Sequence, residues 1–312
     1  MVSAAELLDE ARAGDRRALA RVLSHIERGD DEARRLGRLA FPLAGRATTV
    51  GITGAPGAGK STLTSATVSE VRGRGDRVAV LAIDPSSPFS GGALLGDRTR
   101  MNDHALDEGV FIRSMATRGH LGGLALAAPE AIRALDAAGY PWVLVETVGV
   151  GQVEVEVAGA ADTTVVVVNP GWGDSVQANK AGLMEIADVF VVNKADRPGA
   201  SQTVHDLEGM LDLTRGGPWR PPVVSAVGTT GEGTAELWDA VLAHRAHLER
   251  SGELATRRSA RLRDELAAVV VQQLRTEAEA RLGAGEREAI EAEVLARRLD
   301  PWSAADRLLG RR

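Results

Sequence analysis

Over the first 46 positions apolar residues recur at helical spacing. Ser3 and Glu6 have the spacing of a capping box, and Leu7, Leu8 and Ala11 follow on one face. Gly14 closes that helix, and Asp15 caps a second one that carries Leu19, Leu23 and Ile26. From Thr48 the pattern changes to short apolar runs: TTVGIT, VAVLAI (78–83), VFI (110–112), WVLVE (142–146), TTVVVVN (163–169), VFVVN (189–193) and PVVSA (222–226). These runs are rich in valine and do not alternate, which predicts strands buried on both faces of a parallel sheet. Helical stretches fall between several of them, so the expected fold is α/β, with a doubly wound, mostly parallel sheet. After about Trp238 the strands stop. Helices are expected over 234–250, 258–282 and 286–299, with one short turn of helix in DPWSAADRLL. The Gly-rich SGGALLGD (90–97) predicts a loop, and no internal repeat is found. The expected division is a helical N-terminal arm (1–46), a nucleotide-binding domain (47–250) and a helical C-terminal region (251–312).

Composition narrows the classes. With 312 residues, 44% of them hydrophobic, the chain can bury a sizeable core, and with aromatics at 3% that core is mostly Val, Leu, Ile and Ala. A net charge of −6 argues against a general nucleic-acid binder. The absence of cysteine excludes disulfides and thiolate metal sites. The opening MVSAAELLDEARAGD is acidic and amphipathic, unlike a leader, and no apolar run approaches the roughly 20 residues of a membrane span. A cytoplasmic protein with no membrane partner is expected.

The strongest local signal is Gly54-Ala55-Pro56-Gly57-Ala58-Gly59-Lys60-Ser61, followed by Thr62. It fits G-x-x-x-x-G-K-[ST] between a predicted strand and a predicted helix. Glycines let backbone N–H groups turn inward, and a helix N-terminus adds a favourable dipole, so the loop suits phosphates. Lys60 is expected to reach the β- and γ-phosphates, and the Ser61 hydroxyl to ligate Mg²⁺.

Other strand ends supply carboxylates. Asp84 follows VAVLAI, Asp97 lies in GDRTRM, and Glu146 ends WVLVE; all three are candidates for the Mg²⁺ environment, and Lys60 and Glu146 for catalysis. Glu146-Thr-Val-Gly149 has the spacing of a D-x-x-G switch with Glu in place of Asp, and the Gly149 N–H would approach the γ-phosphate. Gln152, three residues beyond Gly149, is a weak candidate for positioning water, and no general base is named. Arg98, Arg100 and Arg113 are candidate cationic helpers, with a solvated surface role as the plainer alternative.

The strand VFVVN runs into Asn193-Lys194-Ala195-Asp196, which fits N-K-x-D. A carboxylate at Asp196 can accept from both N1–H and the 2-amino group of guanine; adenine offers neither. The Lys194 stem can lie along the purine, and Asn193 can tie loops together. Ser225-Ala226-Val227, after PVV, has the look of the second base loop of GTPases. GTP and GDP are the expected nucleotides.

At this point the chain resembles the MeaB/ArgK-type G proteins. GAPGAGKST, IDPSSPFSGGALLGDRTRM, RGHLGGL, ETVGVGQVEVEV, NPGWGDSVQANKAGLMEIADVFVVNKAD and SAVGTTGEG carry the resemblance, which covers nearly the whole chain. It implies a P-loop GTPase domain and a homodimer formed through the C-terminal helices. It also implies binding to an adenosylcobalamin-dependent acyl-CoA mutase such as methylmalonyl-CoA mutase, where GTP binding and hydrolysis gate cofactor loading and protect or reactivate the mutase. It further implies a third switch over 171–180, which includes Lys180. One departure is GQVE at 151–154, where members of this group often read GQSE. Besides an assembly factor in which GTP is only structural, two alternatives stay open. One is a P-loop kinase using ATP, against which NKAD argues. The other is a metallochaperone-type GTPase; His244 and His247, three apart on a predicted helix, are the nearest thing to a metal pair.

Overall fold

The structure is a computed structural model that describes residues 2–84, 103–116, 123–147, 159–171, 177–213, 217–281 and 284–310. By chain contacts it divides into two compact units, Met1–Arg261 and Leu262–Arg312.

Three helices open the chain: α1 (Ala4–Arg12), α2 (Arg16–Arg28) and α3 (Asp31–Ala40). Their starts are local chemistry. The Ser3 hydroxyl accepts from Glu6 N while the Glu6 carboxylate accepts from Ser3 N, and Asp15 accepts from Arg17 N and Ala18 N. Asp30 caps α3 and also receives Arg28 and His25. After a short 3₁₀ turn, Phe41–Leu43, the sheet begins.

The strands are β1 (Thr48–Gly54), β2 (Val78–Asp84), β3 (Val110–Ala116), β4 (Trp142–Thr147), β5 (Thr163–Val168), β6 (Val189–Asn193) and β7 (Val223–Ala226). Between and after them lie α4 (Lys60–Gly73), α5 (Gly123–Ala137), α6 (Gln177–Ile186), α7 (Ala200–Leu213), α8 (Thr234–Ser251), α9 (Glu253–Arg281), α10 (Ala284–Leu295) and α11 (Pro301–Leu308). The strand order is β3-β2-β4-β1-β5-β6-β7, and every pairing between these strands is parallel. The doubly wound sheet expected from the sequence is therefore present.

Alternate residues of each strand serve opposite faces, which is why the runs do not read as half-polar. Ala79, Leu81, Phe111, Val143 and Val145 pack under Leu19, Val22, Leu23 and Leu36 of the N-terminal helices and under α5. On the other face Val50, Ile52, Val80, Leu144, Val165 and Val191 meet Leu63 and Val68 of α4 and Trp238 and Val241 of α8. A third cluster joins Val166, Val168, Phe190 and Val192 to Leu183 of α6 and Leu207 of α7. Full burial of each such side chain is worth roughly 1.5–3 kcal/mol, so these layers, rather than any polar pair, hold the fold. Arg113 of β3 is spent on the arm: its guanidinium donates to Glu27 at 2.8 Å and Ser24 at 3.1 Å.

At the end of the sheet where the strands begin, two aspartates lie just ahead of β5 and β6. Asp162 accepts from Thr49 N at 3.1 Å, and Asp188 accepts from Thr164 N at 2.8 Å. Arginines at the start of α9 close on them. Arg258 reaches Asp162 at 2.6 Å, Arg261 joins the same carboxylate, and Arg257 reaches Asp188 at 3.1 Å. Burial by itself would raise the Asp162 carboxyl, but the hydrogen bond from Arg258 and the charges of Arg261 and Arg258 outweigh it, so the group is held below the usual carboxylate range.

In the second unit, Arg307 of α11 pairs with Glu293 of α10 at 3.1 Å. Leu262, Leu266, Val270 and Leu274 of α9 recur every four residues and are all exposed. Among the described residues no helix is long and apolar enough to cross a membrane.

Candidate nucleotide site

Ligands of open α/β sheets bind beyond the carboxyl ends of the strands, and the sequence motifs converge there. β1 ends at Gly54, whose φ of 135° and closeness to β5 both demand glycine. A Cβ there would lie 2.0 Å from the Val167 carbonyl oxygen. Gly57 and Gly59 also take positive φ, 75° and 89°, turning the loop into the first turn of α4. Lys60 is buried, and its ammonium donates to Gly54 O at 2.6 Å and Ala55 O at 3.2 Å. The charge is thereby held at the loop's mouth.

Ser61 and Glu146 meet. β4 lies beside β1 with Glu146 opposite Ile52, and the Ser61 hydroxyl donates to Glu146 Oε1 at 2.5 Å. Glu146 is 1% exposed, and beside it Thr147 donates to Thr53 at 3.2 Å. A hydroxyl and a carboxylate are hard oxygen donors, which suits Mg²⁺ rather than a soft metal. Asp84 closes β2, one residue beyond the Ile83–Thr147 pairing that β2 makes with β4. Its side chain, like all of Asp97, Gly149 and Gln152, lies outside the described residues, as does the loop expected at 90–97. Lys180 falls on α6, again with its side chain undescribed.

The N-K-x-D segment binds the loops together. Asn193, buried at the end of β6, donates through Nδ2 to Ala58 O at 2.8 Å and Gly59 O at 3.3 Å. Its Oδ1 accepts from Gly228 N at 3.0 Å, so the network itself fixes the amide orientation. Lys194 adopts φ 59°, unusual for a residue with a side chain, and its ammonium donates to Gly57 O at 2.6 Å. That places its stem across the phosphate loop. Asp196 stands exposed two residues further on. Ala195 N donates to Ala226 O at 3.0 Å, joining this turn to the end of β7. Ser225 is exposed and Ala226 buried, while Val227 pairs with Glu232 across a tight turn.

One residue of this network lies within SAVGTTGEG but has no role assigned by the motifs. Gly228 carries the N–H that Asn193 accepts, and a Cβ there would come within 3.1 Å of Leu63 N in α4. The visible signal is only a glycine directly after Ser-Ala-Val.

His244 and His247 are used internally. His244 is fully buried, bonded to Thr163 at 2.9 Å and facing Asp188 at 3.2 Å. Trp219 lies 4.9 Å from the His244 ring and 5.2 Å from the His247 ring, centroid to centroid. Among the described residues no cluster of three metal-capable side chains occurs.

Comparison with known proteins agrees with this geometry. A protein of Pyrococcus abyssi is 52% identical over 308 residues, spanning 97% of this chain and 95% of that one. GTPase ArgK of Escherichia coli is 40% identical over 259 residues, 80% of this chain and 78% of its own. The crystal structure of an LAO/AO transport system kinase superposes with a TM-score of 0.72 at 29% identity, covering 98% of this chain and 96% of that one. The family description "Methylmalonyl Co-A mutase-associated GTPase MeaB" matches residues 16–282. With a phosphate loop tied by Asn193 and Lys194 to an N-K-x-D turn, the chain belongs to that family and is a P-loop GTPase.

Proposed function

We propose that the protein hydrolyses GTP to GDP and phosphate with Mg²⁺, and that the cycle serves an adenosylcobalamin-dependent acyl-CoA mutase by gating cofactor loading and protecting or reactivating the mutase. The observation that carries the guanine half is the bonding of Asn193 to Ala58, Gly59 and Gly228, which joins phosphate loop and base loops in one body. In this reading residues 54–62 cradle the phosphates, Asp196 reads the base with Ser225, Ala226 and Val227 beside it, and Lys60 faces the β- and γ-phosphates. Ser61 and Glu146, already in contact, would hold Mg²⁺ with Asp84 and Asp97. The metal would neutralise charge developing on the phosphoryl oxygens. Gly149, Gln152 and Lys180 are proposed as switch residues.

The mutase half rests on the family description. A homodimer is proposed through the exposed Leu262–Leu274 stripe of α9, since apolar side chains repeated along one helix invite a partner helix. The proposed location is the cytoplasm.

The test is multiple-turnover phosphate release from GTP, with and without an adenosylcobalamin-dependent acyl-CoA mutase. Slow turnover alone and acceleration of about tenfold or more by the mutase are expected. A GTP-loaded protein that leaves the mutase unbound but captures a hydrogenase or urease subunit from extract would favour the metallochaperone reading.

A further inference from the structure

We propose a second ligand site, distinct from the nucleotide site, in a cavity where β1 and β4 begin; it takes a small organic carboxylate with an apolar body. The cavity measures about 360 Å³, within the range of small-molecule sites. It lies among the C-terminal ends of α1 and α5, the 3₁₀ turn and the residues leading into β1 and β4. That is the pole of the sheet opposite the phosphate loop.

Three features define its chemistry. Pro42, Leu43 and Pro141 give an apolar wall. Tyr140 lines the cavity while only 2% exposed, and among the described residues nothing hydrogen bonds to its hydroxyl. Its ring is held by Arg77, stacked 4.3 Å from the centroid, and by Phe111 at 6.1 Å. With the ring fixed, the phenol hydroxyl, which water can reach, is able to donate to an acceptor held in the cavity. The third feature is Arg46, which is exposed and has no carboxylate partner among the described residues.

The wall also holds one carboxylate, Asp136, which keeps its own charge, so Arg12, Arg46 and Asp136 together leave the lining with an excess of one positive charge. Asp136 Oδ2 accepts from Gly45 N at 2.5 Å and Arg46 N at 3.0 Å, fixing the loop that carries Arg46. Arg12 adds a second guanidinium, itself paired with Asp9 at 3.3 Å. A planar guanidinium beside a phenol donor and an apolar wall matches a carboxylate on a hydrocarbon or aromatic frame. A cation would meet two arginines.

The site has a route to the rest of the fold. Arg258, which grips Asp162, also donates to Gly45 O and Ala47 O at 2.8 Å each, so the loop bordering the cavity and the start of α9 share one side chain.

The test uses the full chain saturated with GDP, so that the nucleotide site is filled. 4-(Trifluoromethyl)benzoate is titrated by fluorine NMR against 4-(trifluoromethyl)benzamide, which has the same shape and no charge. Binding of the benzoate at about millimolar affinity is expected, with the amide weaker by about tenfold. Arg46→Glu should abolish the benzoate signal, and Tyr140→Phe should weaken it several-fold without lowering the melting temperature, since the lost hydroxyl bonds nothing in the protein. Both variants should keep their GDP-induced rise in melting temperature. Equal binding of acid and amide, no binding of the benzoate, or benzoate binding unchanged in Arg46→Glu would each overturn the proposal.

Discussion

Asp196→Asn is expected to exchange the nucleotide the protein prefers. The carboxylate accepts two hydrogen bonds in the proposed pose, from N1–H and from the 2-amino group of guanine. An asparagine amide can still accept one but presents its NH₂ to the other, donor against donor. Losing one charged hydrogen bond and opposing it with a like group should weaken GTP by about 10²–10⁴-fold. Xanthosine triphosphate carries an oxygen where guanine has the amine, so the same NH₂ finds an acceptor and affinity for that nucleotide should rise. Nothing else should move, because Asp196 is exposed and the loops are held by Asn193 and Lys194. Competition of GTP and xanthosine triphosphate against a fluorescent nucleotide reads the exchange. An unaltered preference would mean that Asp196 does not read the base.

The second large effect lies at the other pole. Asp162→Ala removes a carboxylate whose side chain is 2% exposed and leaves Arg258 and Arg261 facing each other. Breaking a buried pair this way costs about 3–5 kcal/mol. The arginines are 28% and 24% exposed and can regain some water, so the lower end, about 3 kcal/mol, is expected. For a domain of this size that is a fall in melting temperature of about 6–12 °C. Asp9→Ala, at an exposed pair with Arg12, should change the melting temperature little. The pH dependence has a definite sign. The folded Asp162 carboxyl lies below its unfolded value, so its contribution is complete above the unfolded pKa, near 4, and is lost as pH falls from there toward the folded value. The gap in melting temperature between wild type and Asp162→Ala should therefore be full at neutral pH and narrow below about pH 4. A gap that is absent at neutral pH, or that widens in acid, would contradict this assignment.

All seven strands were visible in the sequence because strands covered on both faces are written in valine, with little else to mimic the pattern. Where the reading fell short, a polar residue interrupted the run. The run VFI predicts a strand that stops at Ile112, yet β3 continues to Ala116, because Glu27 and Ser24 of the arm absorb the charge of Arg113. The tail is likewise more than one turn: Asp300 caps Trp302 and Ser303, Pro301 opens the helix, and α11 runs for eight residues to Leu308. The phosphate loop and N-K-x-D were legible because their chemistry is contiguous and fixed in spacing. Asp162 was not, because its partner Arg258 lies 96 residues away and a lone aspartate before a valine run signals nothing by itself. The role of Gly228 is hidden for the same reason: its meaning is a neighbour in space, Leu63 of α4, rather than a neighbour in sequence.

The most direct measurement titrates the wild-type protein with fluorescent analogues of GTP and ATP under identical conditions. A base pocket built on Asp196 predicts that the guanine analogue binds at least about a hundredfold more tightly. Equal affinities for the two would contradict it, leaving a phosphate loop that serves any purine.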